Sequence, residues 1–125
     1  MRTWAKLFIF IIAPGLVLGS CATISPPLFR QIGTASWYSR GFVGKTTACG
    51  DIYDPREMTA AHRHLPCGTR VRVIELRSGK EVGVTITDRG PYIAGRILDL
   101  SLAAARRLGI ARDGTARVEI LLAEN

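Results

Sequence analysis

Thr87-Asp88-Arg89-Gly90-Pro91-Tyr92 closes the most regular stretch of the chain and decides how the rest is read. Upstream, Val82, Val84 and Ile86 alternate with Glu81, Gly83, Thr85 and Thr87, the period-2 pattern of a strand with one buried face. Asp88 keeps the parity of the apolar residues, so the spacing predicts a carboxylate at the end of a line of core side chains, facing an opening. Gly90-Pro91 stops the strand, because proline has no N–H to offer a neighbour and glycine tolerates a sharp change of direction. Two roles suit an aspartate placed there: a cap on turn N–H groups, or a catalytic carboxylate.

Working outward, Val71 and Val73 alternate with Arg70 and Arg72, and Ser78-Gly79-Lys80 makes a short turn into the strand that ends at Asp88. Strands joined so closely are antiparallel. Met58-Thr59-Ala60-Ala61-His62 is short and apolar enough to be partly buried, and Leu65 to Thr69 reads as a turn. Gly33 to Tyr38 reads as a strand in which Trp37 and Tyr38 point to opposite sides, one filling the core and the other lying near a groove. Stacking of one of them on a sugar ring is the functional reading, and ordinary packing is the plain one. Beyond Asp88, Arg96 to Leu100 leads into a helix over Leu102–Leu108, with Ser101 as N-cap and Gly109 as stop. Leu102, Ala105 and Leu108 share one face of it. Asp99 is given a structural role, bonded either to N–H groups near the helix start or to an arginine. Ala116, Val118, Ile120 and Leu122 alternate in a closing strand. The inventory is several short strands and one short helix.

The N-terminus reads as a targeting segment. Arg2 and Lys6 give a basic start, Leu7 to Leu18 is almost wholly apolar, and Leu18-Gly19-Ser20-Cys21 follows. The run is too short for an ordinary membrane span and suits a signal-peptide core. Leucine three places before cysteine, with small residues between, resembles the lipobox of bacterial lipoproteins, in which the cysteine becomes a lipid-bearing N-terminus. A plain secretory signal and an uncleaved anchor are the alternatives, and all three take the domain out of the cytosol. The expected organisation is a signal peptide at 1–20, a lipidated Cys21 with a short tether to residue 31, and one domain over 32–123. Ala22 stands after the cysteine in place of the inner-membrane retention aspartate known in enteric bacteria, which favours the outer membrane.

Lysine and arginine number 17 against 10 acidic residues, a formal charge of +7. Removal of the signal leaves a net charge of about +5, suited to a polyanionic partner. Export argues against nucleic acid and leaves cell-wall glycan carrying carboxylates, or membrane head groups. Cys49 and Cys67 remain once Cys21 carries lipid, both beside glycine in turn-like sequence and in an oxidising compartment, so a disulfide between them is expected. It would tie the Asp51 segment to the turn after His62. Cys49 to Pro55 has neither the length nor the alternation of a calcium loop, and His62 and His64 lack an obvious third ligand. No metal or cofactor is expected. His62 itself is either a hydrogen-bonded structural histidine or a polar group facing a site.

Gly33 to Tyr38, Thr47-Ala48, Tyr53-Asp54, Met58 to His62, Leu65-Pro66, Gly68 to Val71, Asp88 to Tyr92, Gly95 to Ser101, and Ala103-Ala104 before Leu108-Gly109 occur in order over about residues 33 to 121. Together they resemble rare lipoprotein A, the septal-ring lytic transglycosylases of bacterial cell walls. The resemblance implies a mainly β fold, a six-stranded double-psi β-barrel with one short α-helix, related to expansins and barwin-like proteins. It implies a lipid anchor in the envelope, facing the periplasm. It also implies cleavage of peptidoglycan glycan strands lacking stem peptides, between N-acetylmuramic acid and N-acetylglucosamine, leaving 1,6-anhydromuramic acid ends.

Asp51, His62 and Asp88 take the family's catalytic positions. Trp37, Tyr38, Arg89 and Tyr92 are assigned to substrate binding. Asp88 is expected to transfer the proton, Asp51 to be its charged neighbour, and His62 to orient a carboxylate or the substrate, while the exchange of roles between Asp51 and Asp88 stays open. Two features depart from the family pattern, Asp51 in place of glutamate and the cysteine pair, and no C-terminal peptidoglycan-binding repeat domain is expected, although many members carry one for targeting. An expansin-like wall-binding protein without turnover, a glycoside hydrolase and a structural envelope lipoprotein are the other readings.

Overall fold

The structure is a computed structural model and describes residues 12–15, 19 and 29–123. Cys21 and most of the expected signal segment lie outside the described residues. Six strands form the domain: β1 (Arg30–Trp37), β2 (Thr59–Ala61), β3 (Arg70–Glu75), β4 (Glu81–Asp88), β5 (Arg96–Leu100) and β6 (Ala116–Leu122). One helix, α1 (Leu102–Leu108), lies between β5 and β6. The strands close into a barrel in the order β1-β5-β2-β4-β3-β6, the six-stranded architecture expected. β1 starts at Arg30, inside the stretch read as tether, and pairs with β6 from Arg30↔Leu121 onward.

Alternation carries most of this. Val82, Val84 and Ile86 of β4, Val71 and Val73 of β3, and Val118 and Ile120 of β6 are buried, while Arg72, Glu81 and Gly83 are exposed. Leu98 and Leu100 of β5 complete the interior with Ala104, Ala105 and Leu108 of α1. Fully burying each large aliphatic side chain stabilises by roughly 1.5–3 kcal/mol. The Ser101 hydroxyl accepts from Ala104 N, and Gly109 closes the helix in a left-handed conformation, as the sequence predicts. At Gly33 a Cβ would lie 2.7 Å from Cγ2 of Ile97 on the neighbouring strand, so any larger residue would force that side chain to move.

Two parallel pairings position the site. β1 runs parallel to β5, and β2 runs parallel to β4. β2 pairs Ala60 with Ile86 and then, after a shift in register, Ala61 with Asp88. On its other side it runs antiparallel to β5, with Ala61 opposite Asp99. Three residues of β2 therefore bring Asp88, His62 and the β5 end to one rim of the barrel.

Candidate active site

Asp88 ends β4 partly buried, and three donors divide its two oxygens. Ala48 N and Arg89 N each donate to Oδ1 at 2.8 Å, and the Tyr38 hydroxyl donates to Oδ2 at 2.6 Å. Backbone N–H groups can only donate, so Oδ1 is held as an acceptor, whereas the hydroxyl on Oδ2 can rotate. Burial first, then the bond to Asp88 and its charge, push the Tyr38 hydroxyl far up from its ordinary value. Tyr38 thus remains a proton donor to Asp88.

Tyr38 and Trp37 do point to opposite sides. Trp37 packs, partly buried, against the barrel core, while Tyr38 forms a separate cluster with Tyr53 and Ala61. The Tyr38 and Tyr53 rings lie 4.6 Å apart, and Phe42 meets Tyr38 edge-on at 5.5 Å. Tyr38, expected to bind substrate, is 7% exposed and bonds the Asp88 carboxylate. Tyr92, at 77% exposed, stands at the surface of the Asp88 loop.

His62 is buried, and its imidazole bonds away from both candidate carboxylates. Nδ1 accepts from the backbone N–H groups of His64 and Leu65, both at 3.0 Å. The ring proton is therefore on Nε2, which donates to Oε1 of Gln31 at 2.8 Å. Burial, followed by the nearby positive charges of His64, Arg89 and Arg63, holds His62 below its ordinary value and so neutral. Its link to Asp88 is through the backbone, His62 N donating to the Asp88 carbonyl at 3.2 Å. The imidazole holds the 62–65 turn; Gln31, its partner, falls in the stretch read as tether.

Two arginines brace the loops on either side. Nη1 of Arg89 donates to the carbonyls of His62 at 3.1 Å and Leu65 at 2.7 Å, and Nη2 lies 3.6 Å from Sγ of Cys67. Arg89, expected to bind substrate, ties down the 62–65 turn. Arg63 donates to the carbonyls of Pro91 at 2.7 Å and Arg96 at 2.6 Å, which fixes the loop after Asp88. Asp99, expected to meet helix N–H groups or an arginine, accepts instead from the Ser36 hydroxyl across the β1–β5 pairing. The Cys49–Cys67 disulfide is formed.

Asp51 is exposed, on the loop whose Thr46 and Ile52 form an isolated bridge. It lines a cleft of about 280 Å³ with Ile52, Tyr53, Glu57, Met58, Thr59, Thr85 and Thr87. Glu57, Thr85 and Thr87 are its polar residues that sequence reading did not single out; the two threonines lie on the β4 face opposite its buried residues, where they look like solvated surface. A larger hollow, about 370 Å³, lies near the β3–β4 turn between Glu75, Arg77, Asp113 and Arg117. Arg77 there pairs with Glu75 at 3.7 Å and Asp113 at 3.5 Å. Those charges satisfy one another, so size does not make that hollow the site. Among the described residues no group of three or more His, Cys, Asp or Glu side chains could hold a metal ion.

Comparison with known proteins gives a consistent set of likenesses. The family profile described as lytic transglycolase matches residues 30–120. The endolytic peptidoglycan transglycosylase RlpA of Pseudomonas aeruginosa is 52% identical over 92 residues, covering 74% of this chain and 27% of that protein. The probable endolytic peptidoglycan transglycosylase RlpA of a Nostoc species is 54% identical over 93 residues, covering 71% and 25%. The chain thus spans about a quarter of the length of these relatives. A Streptomyces papain inhibitor superposes with a TM-score of 0.62 at 22% identity, over 79% of this chain and 98% of that one, and shares the fold. The apo expansin of Clavibacter michiganensis gives a TM-score of 0.60 at 28% identity, over 78% and 52%. A variant of that expansin in complex with cellohexaose gives 0.59 at 27% identity, over 77% and 51%.

Proposed function

Since the chain belongs to the lytic transglycolase family of double-psi β-barrels, we propose that it is a peptidoglycan lytic transglycosylase. Its substrate is glycan strands lacking stem peptides, and it breaks the bond between N-acetylmuramic acid and N-acetylglucosamine. Lipid on Cys21 anchors it in the bacterial envelope, facing the periplasm. The observation that carries this reading is the division of labour on Asp88, with Oδ1 locked as an acceptor and Oδ2 bonded to one rotatable hydroxyl.

The reaction needs a proton on the leaving oxygen, support for an oxocarbenium-like sugar, and removal of a proton from the muramic acid 6-hydroxyl. Asp88 performs the first and last steps in turn through Oδ2. The proton passes to the glycosidic oxygen as its bond to C1 breaks; the 6-hydroxyl closes on C1 and returns a proton to Oδ2. No water is consumed. Asp51 supports the positive sugar from the cleft, Ile52 and Met58 offer it apolar surface, and Thr59, Thr85 and Thr87 offer it hydroxyls. Trp37 and Tyr92 remain the aromatic candidates for contact with glycan, and His62 positions the turn.

The test is incubation of full-length oxidised protein with sacculi stripped of stem peptides, beside Asp88→Asn, with products read by mass spectrometry. Fragments lighter than hydrolysis products by one water, absent with the variant, are expected. Undiminished release by Asp88→Asn would remove Asp88 from the chemistry. A solved expansin bound to cellohexaose favours one second reading, polysaccharide binding without turnover. Its mark would be retention on sacculi with no fragments released.

A further inference from the structure

We infer that the Cys49–Cys67 disulfide is a positioning element for Asp88, holding the Ala48 N–H on Oδ1 and so deciding which carboxylate oxygen carries the proton. The contacts close a ring. Asp88 Oδ1 accepts from Arg89 N on one side and Ala48 N on the other. The Arg89 guanidinium reaches the His62 and Leu65 carbonyls and Sγ of Cys67. Cys67 is bonded to Cys49, and Cys49 follows Ala48. Every member of the ring is thus held through the chain, a hydrogen bond or the disulfide.

The half of the ring that carries Ala48 has little else behind it. Thr46, Ala48 and Gly50 are exposed, and residues 46–52 belong to no named strand or helix. Thr47 and Asp51 exchange hydrogen bonds, Thr47 N to the Asp51 carbonyl and Asp51 N to the Thr47 hydroxyl, while Thr46 and Ile52 form the single bridge. These bonds give the loop its shape but do not attach it to the rim. Attachment comes from Gly44 N and the Lys45 carbonyl, both paired with Tyr53, at the loop's base, and from the disulfide at its tip. With the disulfide open, the Ala48 N–H can leave Oδ1, which keeps only the Arg89 N–H, and the more loosely held carboxylate can turn so that either oxygen meets the Tyr38 hydroxyl. Near-attack geometry at Oδ2 is then one arrangement among several, which lowers turnover; Asp51 and Ile52 ride on the same loop, so that side of the cleft loosens with it, while Glu57, Met58, Thr59, Thr85 and Thr87 stay in place.

This inference rests on the reading of Asp88 as the proton-transferring group, and the experiment separates the two. Full-length protein is studied oxidised, reduced with a phosphine, and reoxidised, well below its melting midpoint. The Ala48 amide proton is followed by NMR, with oxidised Asp88→Asn as reference for an Ala48 N–H that has lost its charged acceptor. Turnover on stripped sacculi is measured in parallel. Reduction is expected to move the Ala48 amide shift and exchange rate toward the reference while the β3 and β4 amides stay in place. It should lower kcat roughly 10- to 100-fold, the size of one lost hydrogen bond to a charged group, and raise KM as Asp51 and Ile52 shift with the loop, and reoxidation should restore both. If reduction unfolds the barrel, Ala48→Pro in the oxidised protein removes the same N–H and should give the same loss of kcat. An Ala48 amide unmoved by reduction, or unchanged kcat in folded Ala48→Pro, overturns the positioning role. Oxidised wild-type protein that releases no anhydro ends, with the Ala48 amide still responding, overturns the enzymatic reading instead.

Discussion

Tyr38 combines core packing with a hydrogen bond to the carboxylate proposed to transfer the proton. Its ring lies against Tyr53 and its hydroxyl bonds to the Asp88 carboxylate, so Tyr38→Phe keeps the ring and removes one charge-assisted bond. Such bonds are worth about 1.5–3 kcal/mol, and kcat should fall roughly 10- to 100-fold with the melting temperature lowered by several degrees; a rate within twofold of wild type would place Tyr38 outside the mechanism. His62 acts on stability. Its folded value lies below the unfolded 6.5, so between the two the unfolded chain binds more protons. The stabilisation is complete above the unfolded value and is lost as pH falls through the folded one. The urea midpoint of His62→Gln should therefore decline less from about pH 7.5 to about pH 5 than that of wild type, and equal declines would contradict a buried neutral imidazole. At this scale the parity of Asp88 is visible in the alternation of β4. The donors of Asp88 are not, because a backbone N–H such as Ala48's leaves no mark in residue type.

Elements defined by local signals are legible, and those defined by partners are not. The alternation of β4, the turn at Ser78–Lys80 and the caps of α1 rest on neighbours within a few residues. The pairing of β2 with β4 and β5 joins segments far apart in the chain, and three residues of strand cannot announce such neighbours. Ser101 belongs to both kinds. Its hydroxyl accepts from Ala104 N as a cap and from Thr59 N, and it donates to the Glu57 carbonyl at 2.6 Å. Ser101→Ala should destabilise by about 2 kcal/mol, above a plain cap, because the fully buried Ser101 also bonds the Glu57 carbonyl and the Thr59 N–H, which lose their partner. Chemical denaturation would show this, and a loss below about 0.5 kcal/mol would reduce Ser101 to an ordinary cap.

For the molecule as a whole, a closed barrel of this size leaves a cross-link a large share of the total stability. Cys49 and Cys67 are 18 residues apart, and closing a loop of that length contributes roughly 3 kcal/mol by chain entropy. Reduction should lower the melting midpoint by roughly 10–20 °C, measured by circular dichroism with and without reductant. A shift of a few degrees would leave the disulfide its local role around Asp88 and remove its global one. The two parallel pairings also bring β1, β2, β4 and β5 to the rim where Tyr38, Asp88 and Asp99 lie, although these residues are widely spaced in sequence.

The sequence by itself determined the strands that alternate, the helix and its caps, the cysteine pairing, the family and the position of Asp88 at the end of a buried face. Each follows from residue type and short-range spacing, or from motifs in a fixed order. Tertiary structure alone decided that Tyr38 lies under Asp88, that His62 turns to Gln31, that Arg89 and Arg63 brace loops, and that Asp99 meets Ser36. Those outcomes depend on which strands become neighbours. Hydrogen bonds between residues about 30 to 60 positions apart are set by the closure of the barrel, and short-range patterns carry no record of it.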